Sequence, residues 1–337
     1  MIATGHSGGA GIGGGRYQQV NGIIIKGGNV TANGSVGSAG IGGGAYGICF
    51  DITLSGGTIK AKGGEGAAGI GSDCIAHLQG DILISGDKTR ITAEGGDSGA
   101  GIGTGEVSTC NSGGVVDIRG GKVTAIGGYY GAGIGGGRAN AYGAGGDGAT
   151  VKISGKPTVI AQADGGSAVA IGNGDGSKLK GKLTIDDGLM VVAGNSDKKD
   201  EGVLPYKERV DVCQDRNNCS IKPCKHQDST YGDITEKTHT RNRCKYCNIS
   251  FEPEPHDFDP TTQKCKVCGY IKGQRYSITF DANGGKGEMD RQKLLEGKAE
   301  KLNANAFAWE GHTFKEWNTK KDGSGKAYAD KAKVTRT

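Results

Sequence analysis

The residues best suited to chemistry in this 337-residue chain are gathered between positions 213 and 268: Cys213, Cys219, Cys224, His226, His239, Cys244, Cys247, His256, Cys265 and Cys268. Two Cys-x-x-Cys pairs, Cys244/Cys247 and Cys265/Cys268, are separated by 17 residues, with His256 between them and Cys224-x-His226 upstream. A Cys-x-x-Cys turn aims two thiolates at one tetrahedral ion, whereas a disulfide across two intervening residues is strained. Eight residues, Cys224, His226, His239, Cys244, Cys247, His256, Cys265 and Cys268, make up two four-coordinate sets, and spacing alone does not divide them between two ions. The expected ion is Zn2+ in a structural role. The segment from Phe251 to Pro260 is rich in proline and acid, so it has little apolar content from which to build a core without metal. Cys213 and Cys219 stay open between thiol and disulfide.

The elements that must carry these residues change character near Asp200. Of 67 glycines, 56 fall in residues 1–200, whereas five of six prolines and seven of ten cysteines fall after it. Collagen is excluded, because the first 200 residues hold a single proline, Pro157. In that half Ala-Gly-Ile-Gly recurs from Ala10, Ala39, Ala68, Ala100 and Ala132, with a degenerate copy from Val169. The isoleucines, Ile12, Ile41, Ile70, Ile102, Ile134 and Ile171, are 29, 29, 32, 32 and 37 residues apart, a solenoid period. Each period holds two further alternating segments, as in Asp51 to Gly57 and Thr58 to Gly63, so one coil is three short strands and three turns. Like residues then stack from coil to coil: Ile25, Leu54, Ile84, Ile118, Ile153 and Ile185 in one inward column, and Ala32, Ala61, Ala93, Ala125, Ala161 and Val192 in another.

This pattern resembles the right-handed parallel β-helix of the polysaccharide-lyase-like superfamily, over about residues 5–200, in the glycine-rich variety found in secreted proteins of anaerobic bacteria. The Cys/His spacing is similar to zinc-ribbon-like modules between domains of modular surface proteins. From Tyr276 the chain reads Tyr-Ser-Ile-Thr-Phe-Asp-Ala-Asn-Gly-Gly, then Glu310-Gly-His-Thr-Phe-Lys-Glu-Trp-Asn-Thr, which resembles a β-grasp-like Listeria-Bacteroides (internalin-type B) repeat whose last strand is cut short at Thr337. Phe314 and Trp317 are expected to supply the bulk of its core. The expected fold is therefore mainly β: a parallel β-helix at 1–204, a Cys/His module at 205–273 and the repeat at 274–337.

Other candidates are placed by that scheme. Asp51 and Asp81 precede Ile52 and Ile82 on neighbouring coils, where two carboxylates about 4.8 Å apart repel unless a cation or proton intervenes. They are candidates for a Ca2+ site that takes acidic sugars, the ligand class that the β-helix resemblance implies, with solvated or turn-bonded aspartates as the plainer alternative. Cys49, Cys74 and Cys110 all follow the Gly-Ile-Gly strand, as disulfide partners or buried thiols, and Cys74 with His77 has nucleophile-base spacing without further support. Gly42 to Gly47 matches G-x-G-x-x-G, but it opens no helix.

Charge narrows the partners. Residues 1–200 carry 16 basic and 16 acidic residues and the remainder 25 and 20, too dilute and mixed for a nucleic-acid footprint. No stretch is long and apolar enough to span a membrane. With no leader peptide and a repeat already under way after Met1, the sequence reads as a fragment of an extracellular, cell-envelope protein. Its expected role is non-catalytic adhesion to a polysaccharide or to a host-surface glycan or protein. The alternatives are a calcium-dependent lyase or hydrolase acting on acidic glycans, and a purely structural stalk.

Overall fold

The computed structural model describes residues 1–73, 80–106, 114–139, 146–177, 179–194, 200–226, 230–235 and 237–335. They form two compact units, Met1–His226 with Lys245–Ile249, and Gln227–Cys244 with Ser250–Thr337.

The first unit is a parallel β-solenoid. Two of its sheets have six stacked strands each. One runs from Ile12–Gly13 through Ile41–Gly42, Ile70–Gly71, Ile102–Gly103 and Ile134–Gly135 to Ile171–Gly172, pairing the repeat isoleucines one on another as their period requires. The other stacks Ile25 on Leu54, Ile84, Ile118, Ile153 and Ile185 in register. Alternation sends every second side chain inward, so Leu54, Ile84 and Ile118 have no exposed surface and belong to one continuous core. An interior built from identical layers has no room to collapse around a missing side chain, so Ile84→Ala is expected to cost about 3 kcal/mol. Urea unfolding checks this; a loss below about 1 kcal/mol would mean that the ladder does not carry the stability.

The third sheet has five-residue strands: Asn29–Asn33, Thr58–Lys62, Arg90–Glu94, Lys122–Ile126 and Thr158–Gln162. The column Ala32, Ala61, Ala93, Ala125 and Ala161 is stacked as the repeat predicts. Its expected last member is not. The antiparallel strand Asn218–Pro223 enters between Thr158–Gln162 and Leu189–Gly194, placing Cys219 over Ala161 and leaving Val191, not Val192, fully buried. Leu189, Val191, Cys219 and Ile221 share the core, so the returning strand covers the end of the ladder with its own apolar face. The unit consequently extends beyond residue 204. The helix Arg209–Asp215 helps to close this end. Arg209, nearly fully buried, donates to the carbonyls of Asp186 at 3.0 Å and Leu189 at 2.8 Å, and also to that of Ile185, satisfying acceptors at the last turn.

The second unit begins with a three-stranded antiparallel sheet, Tyr231–Ile234, Thr238–Arg241 and Glu254–Pro255. Three two-stranded ladders follow from Arg275 onward: Arg275–Ile278 with Gln292–Leu295, Glu300–Lys301 with Lys333–Val334, and Trp317–Asn318 with Ala327–Tyr328. Their core is Phe280, Leu294, Leu302 and Val334, with Trp317 packed against it. Phe314 differs from the expectation: its ring lies tilted against Trp317 with centroids 4.8 Å apart, yet 41 % of the residue is exposed.

Candidate metal centres

The eight predicted ligands fall into two groups of four, Cys224/His226/Cys244/Cys247 and His239/His256/Cys265/Cys268, and within each group the ligand atoms lie within 4.8 Å of one another. Chain order alone did not yield this division.

In the second group, antiparallel pairing opposes His239 to Glu254 and so brings His256, two residues on, beside His239. Cys265 and Cys268 come from a turn closed by the Gly269 N–H donating to the Cys265 carbonyl at 3.0 Å, with Gly269 at φ 80°. After the other Cys-x-x-Cys pair, Asn248 likewise has a left-handed backbone, at φ 63°. A residue that tolerates the left-handed region after the second cysteine was therefore a readable signal in both places.

The distances fit one tetrahedral ion. His239 Nδ1 and His256 Nδ1 are 3.2 Å apart, Cys268 Sγ lies 3.5 Å from His256 Nδ1, and Cys265 Sγ lies 4.0 Å from His239 Nδ1. Zinc bonds of ~2.0 Å to nitrogen and ~2.3 Å to sulfur would give tetrahedral edges of about 3.3 Å for N···N and about 3.6 Å for N···S.

Hydrogen bonding sets the tautomers. His256 Nε2 lies 3.0 Å from the Thr235 carbonyl and donates its proton there, so its Nδ1 presents a lone pair. His239 Nε2 faces the Glu254 carboxylate at 3.8 Å, which favours a proton on that nitrogen and likewise leaves Nδ1 bare. Two lone pairs pointed at each other across 3.2 Å repel unless a cation lies between them. Burial, and then the neighbouring His256, lower the His239 pKa and keep it neutral, as a ligand must be. Burial alone would raise the Cys265 thiol, but backbone hydrogen bonds, that from Cys268 first and then that from Val267, help to bring its pKa to about 6; Cys268 is raised, by burial first and then by Cys265. Thr235 and Glu254 were not among the predicted residues, because neither lies in a ligand motif and only sheet pairing brings them to the rings.

In the other group, Cys247 Sγ is 3.4 Å from His226 Nδ1, and the His226 N–H lies 3.5 Å from Cys224 Sγ. Both groups thus have the donor set of Cys/His sites that hold a metal with all four positions taken by protein. Cys213 and Cys219 stand apart from them, joined in a disulfide between the helix Arg209–Asp215 and the inserted strand.

The remaining candidates have other surroundings. Asp51 and Asp81 are exposed at equivalent corners, and each carboxylate caps the coil that follows: Asp51 Oδ1 accepts the Asp81 N–H at 2.9 Å, and Asp81 Oδ1 accepts the Val115 N–H at 3.0 Å. Cys49 is a buried free thiol, pushed up to about 12 by burial and then by Asp51, which makes it unreactive near neutrality. Cys74, His77 and Cys110 lie outside the described residues.

The chain thus joins a β-solenoid, two Cys/His groups able to hold metal and a small antiparallel module. Residues 23–45, 52–74 and 116–138 match the family model described as Beta helix repeat, and residues 276–337 match the Listeria-Bacteroides repeat domain. No curated protein and no solved structure matches the chain. Domains of these two kinds are typical of extracellular surface proteins. Among the described residues no helix is long and apolar enough to cross a membrane.

Proposed function

We propose that this is a non-catalytic, extracellular cell-surface protein whose solenoid binds an acidic glycan in adhesion, with the Cys/His groups holding structural Zn2+. One observation carries the reading. The outward rows of the five-residue-strand sheet place Lys60, Lys62, Arg90 and Lys122 together on exposed positions of three neighbouring coils, among Thr31, Thr92, Thr124 and Thr158. Glu94 is the only acidic residue in those rows, and it pairs with Lys62 at 3.9 Å. The solenoid as a whole has no excess of basic residues, so the positive charge is local to this face. Stacking at ~4.8 Å sets cations and hydroxyls on a flat lattice suited to the carboxylates and hydroxyls of a linear sugar chain. The Cys213–Cys219 disulfide accords with an oxidising compartment.

The test is to pass the protein over immobilised polygalacturonate with calcium, while following release of unsaturated or reducing product. Retention without product is expected, and Lys60→Ala with Arg90→Ala and Lys122→Ala should weaken retention about tenfold, more steeply at low salt. Product formation, or retention unchanged in the triple variant, would overturn the proposal.

A further inference from the structure

A second feature of the solenoid lies on a different stretch of each coil, after the Ile-Gly strand. Gly15-Arg16-Tyr17-Gln18 and Gly44-Ala45-Tyr46-Gly47 are tight turns on successive coils, closed by Gln18 N–H to Gly15 O at 3.0 Å and Gly47 N–H to Gly44 O at 2.8 Å. Tyr17 and Tyr46 occupy the third position of each turn with φ of 61° and 60°, the place a type II turn reserves for glycine or asparagine. A bulky aromatic residue is costly there, and this chain spends 56 glycines on the same solenoid. Packing does not account for the choice, since Tyr17 is 64 % and Tyr46 43 % exposed.

The strained turns instead display the rings. Their centroids are 5.1 Å apart with an interplanar angle of 21°, one coil above the other. The Arg16 guanidinium lies 5.0 Å from the Tyr17 centroid and 5.5 Å from that of Tyr46, is exposed, and has no acidic partner among the described residues. Both turns are anchored to the neighbouring coil: Tyr17 N–H donates to the Ala45 carbonyl at 2.9 Å, and Tyr46 N–H to the carboxylate of the buried Asp73. Such anchoring removes much of the ordering cost of binding. Backbone strain that recurs at exposed side chains and is locked in from behind points to a ligand contact.

We infer that Tyr17, Tyr46 and Arg16 form a sugar-stacking site for a pyranose ring that bears a carboxylate. The C–H face of such a ring carries partial positive charge and lies on the electron-rich face of a tyrosine. The phenolic hydroxyls serve the ring hydroxyls, and the guanidinium takes the carboxylate. A nucleobase would also stack, but single-strand sites add a basic groove that follows the phosphates, and the two turns carry a single basic residue, Arg16. The site is separate from the basic face and stands whether or not that face binds.

Replacement by glycine tests this sharply, because it relieves the backbone while removing the ring. The full chain, its Tyr17→Gly/Tyr46→Gly and Tyr17→Phe/Tyr46→Phe variants and Arg16→Ala are titrated calorimetrically with hexasaccharides of galacturonate, mannuronate and neutral galactose, and with a single-stranded oligonucleotide. At least one uronate hexasaccharide is expected to bind. With Lys60→Ala, Arg90→Ala and Lys122→Ala present in every chain so that the basic face does not contribute, the glycine pair should weaken it tenfold or more with a melting temperature at or above that of the parent, the phenylalanine pair should stay within about fivefold, and Arg16→Ala should erase the preference over neutral galactose. The proposal is overturned if no uronate binds, if the glycine pair binds as the parent does or melts lower, or if the oligonucleotide binds more tightly than every sugar.

Discussion

Stripping metal from the protein is expected to unfold the Cys/His segment, residues 230–272, while the solenoid's cooperative transition persists. Among the described residues of the segment, those buried are four of its ligands, His239, Cys244, Cys247 and Cys265, together with Tyr270, so it has few apolar contacts to hold it when the ligands are freed. Without a cation the Nδ1 lone pairs of His239 and His256 face each other across 3.2 Å. Structural zinc sites of this donor type contribute apparent free energies on the order of 10 kcal/mol at neutral pH, far more than such a segment gains from burial. The purified chain should carry two equivalents of zinc by elemental analysis, and Cys265→Ser should carry one. Chelator should open the segment to protease at Lys264, Lys266 and Lys272. A chain that purifies without metal, or whose cleavage pattern is indifferent to chelator, would remove the metal centres from the description.

Gly71→Ala is the second change expected to be severe, although it adds one methyl group. Gly13, Gly42, Gly71, Gly103, Gly135 and Gly172 form a column with φ between 135° and 149°, a conformation that side chains rarely adopt. A Cβ on Gly71 would lie 1.9 Å from the Gly103 carbonyl oxygen, and the obstacle is backbone held in the same ladder, so no rotamer change relieves it. Strain and overpacking together should cost about 3 kcal/mol or more. Gly27→Ala is the control, since a Cβ there meets nothing within 4 Å. Equal melting temperatures for the two variants would mean that adjacent coils are not stacked as described.

These two cases divide what was legible in the sequence from what was not. The glycine column could be read because a solenoid repeats one environment at a fixed interval, so that Ile70-Gly71 announces its neighbours Ile41-Gly42 and Ile102-Gly103. The ligand set could be read because Cys-x-x-Cys is a local turn whose chemistry lies within four residues. The partners of each ligand could not. His239 and His256 are 17 residues apart and meet because two strands pair, and Glu254 and Thr235 reach the rings by the same pairing.

The repeat alone determined the stacked β-solenoid, its inward ladders and its need for glycine, since each depends on neighbours at a constant chain separation. Only the tertiary structure decided how the solenoid ends, with Asn218–Pro223 returning antiparallel to shift the final register from Val192 to Val191. It also decided that Asp51 and Asp81 cap backbone N–H groups, and that Tyr17 and Tyr46 are held out in left-handed turns. The reason is physical: a terminus and a corner each have their own surroundings, and contacts made across unequal lengths of chain leave no periodic trace in the sequence.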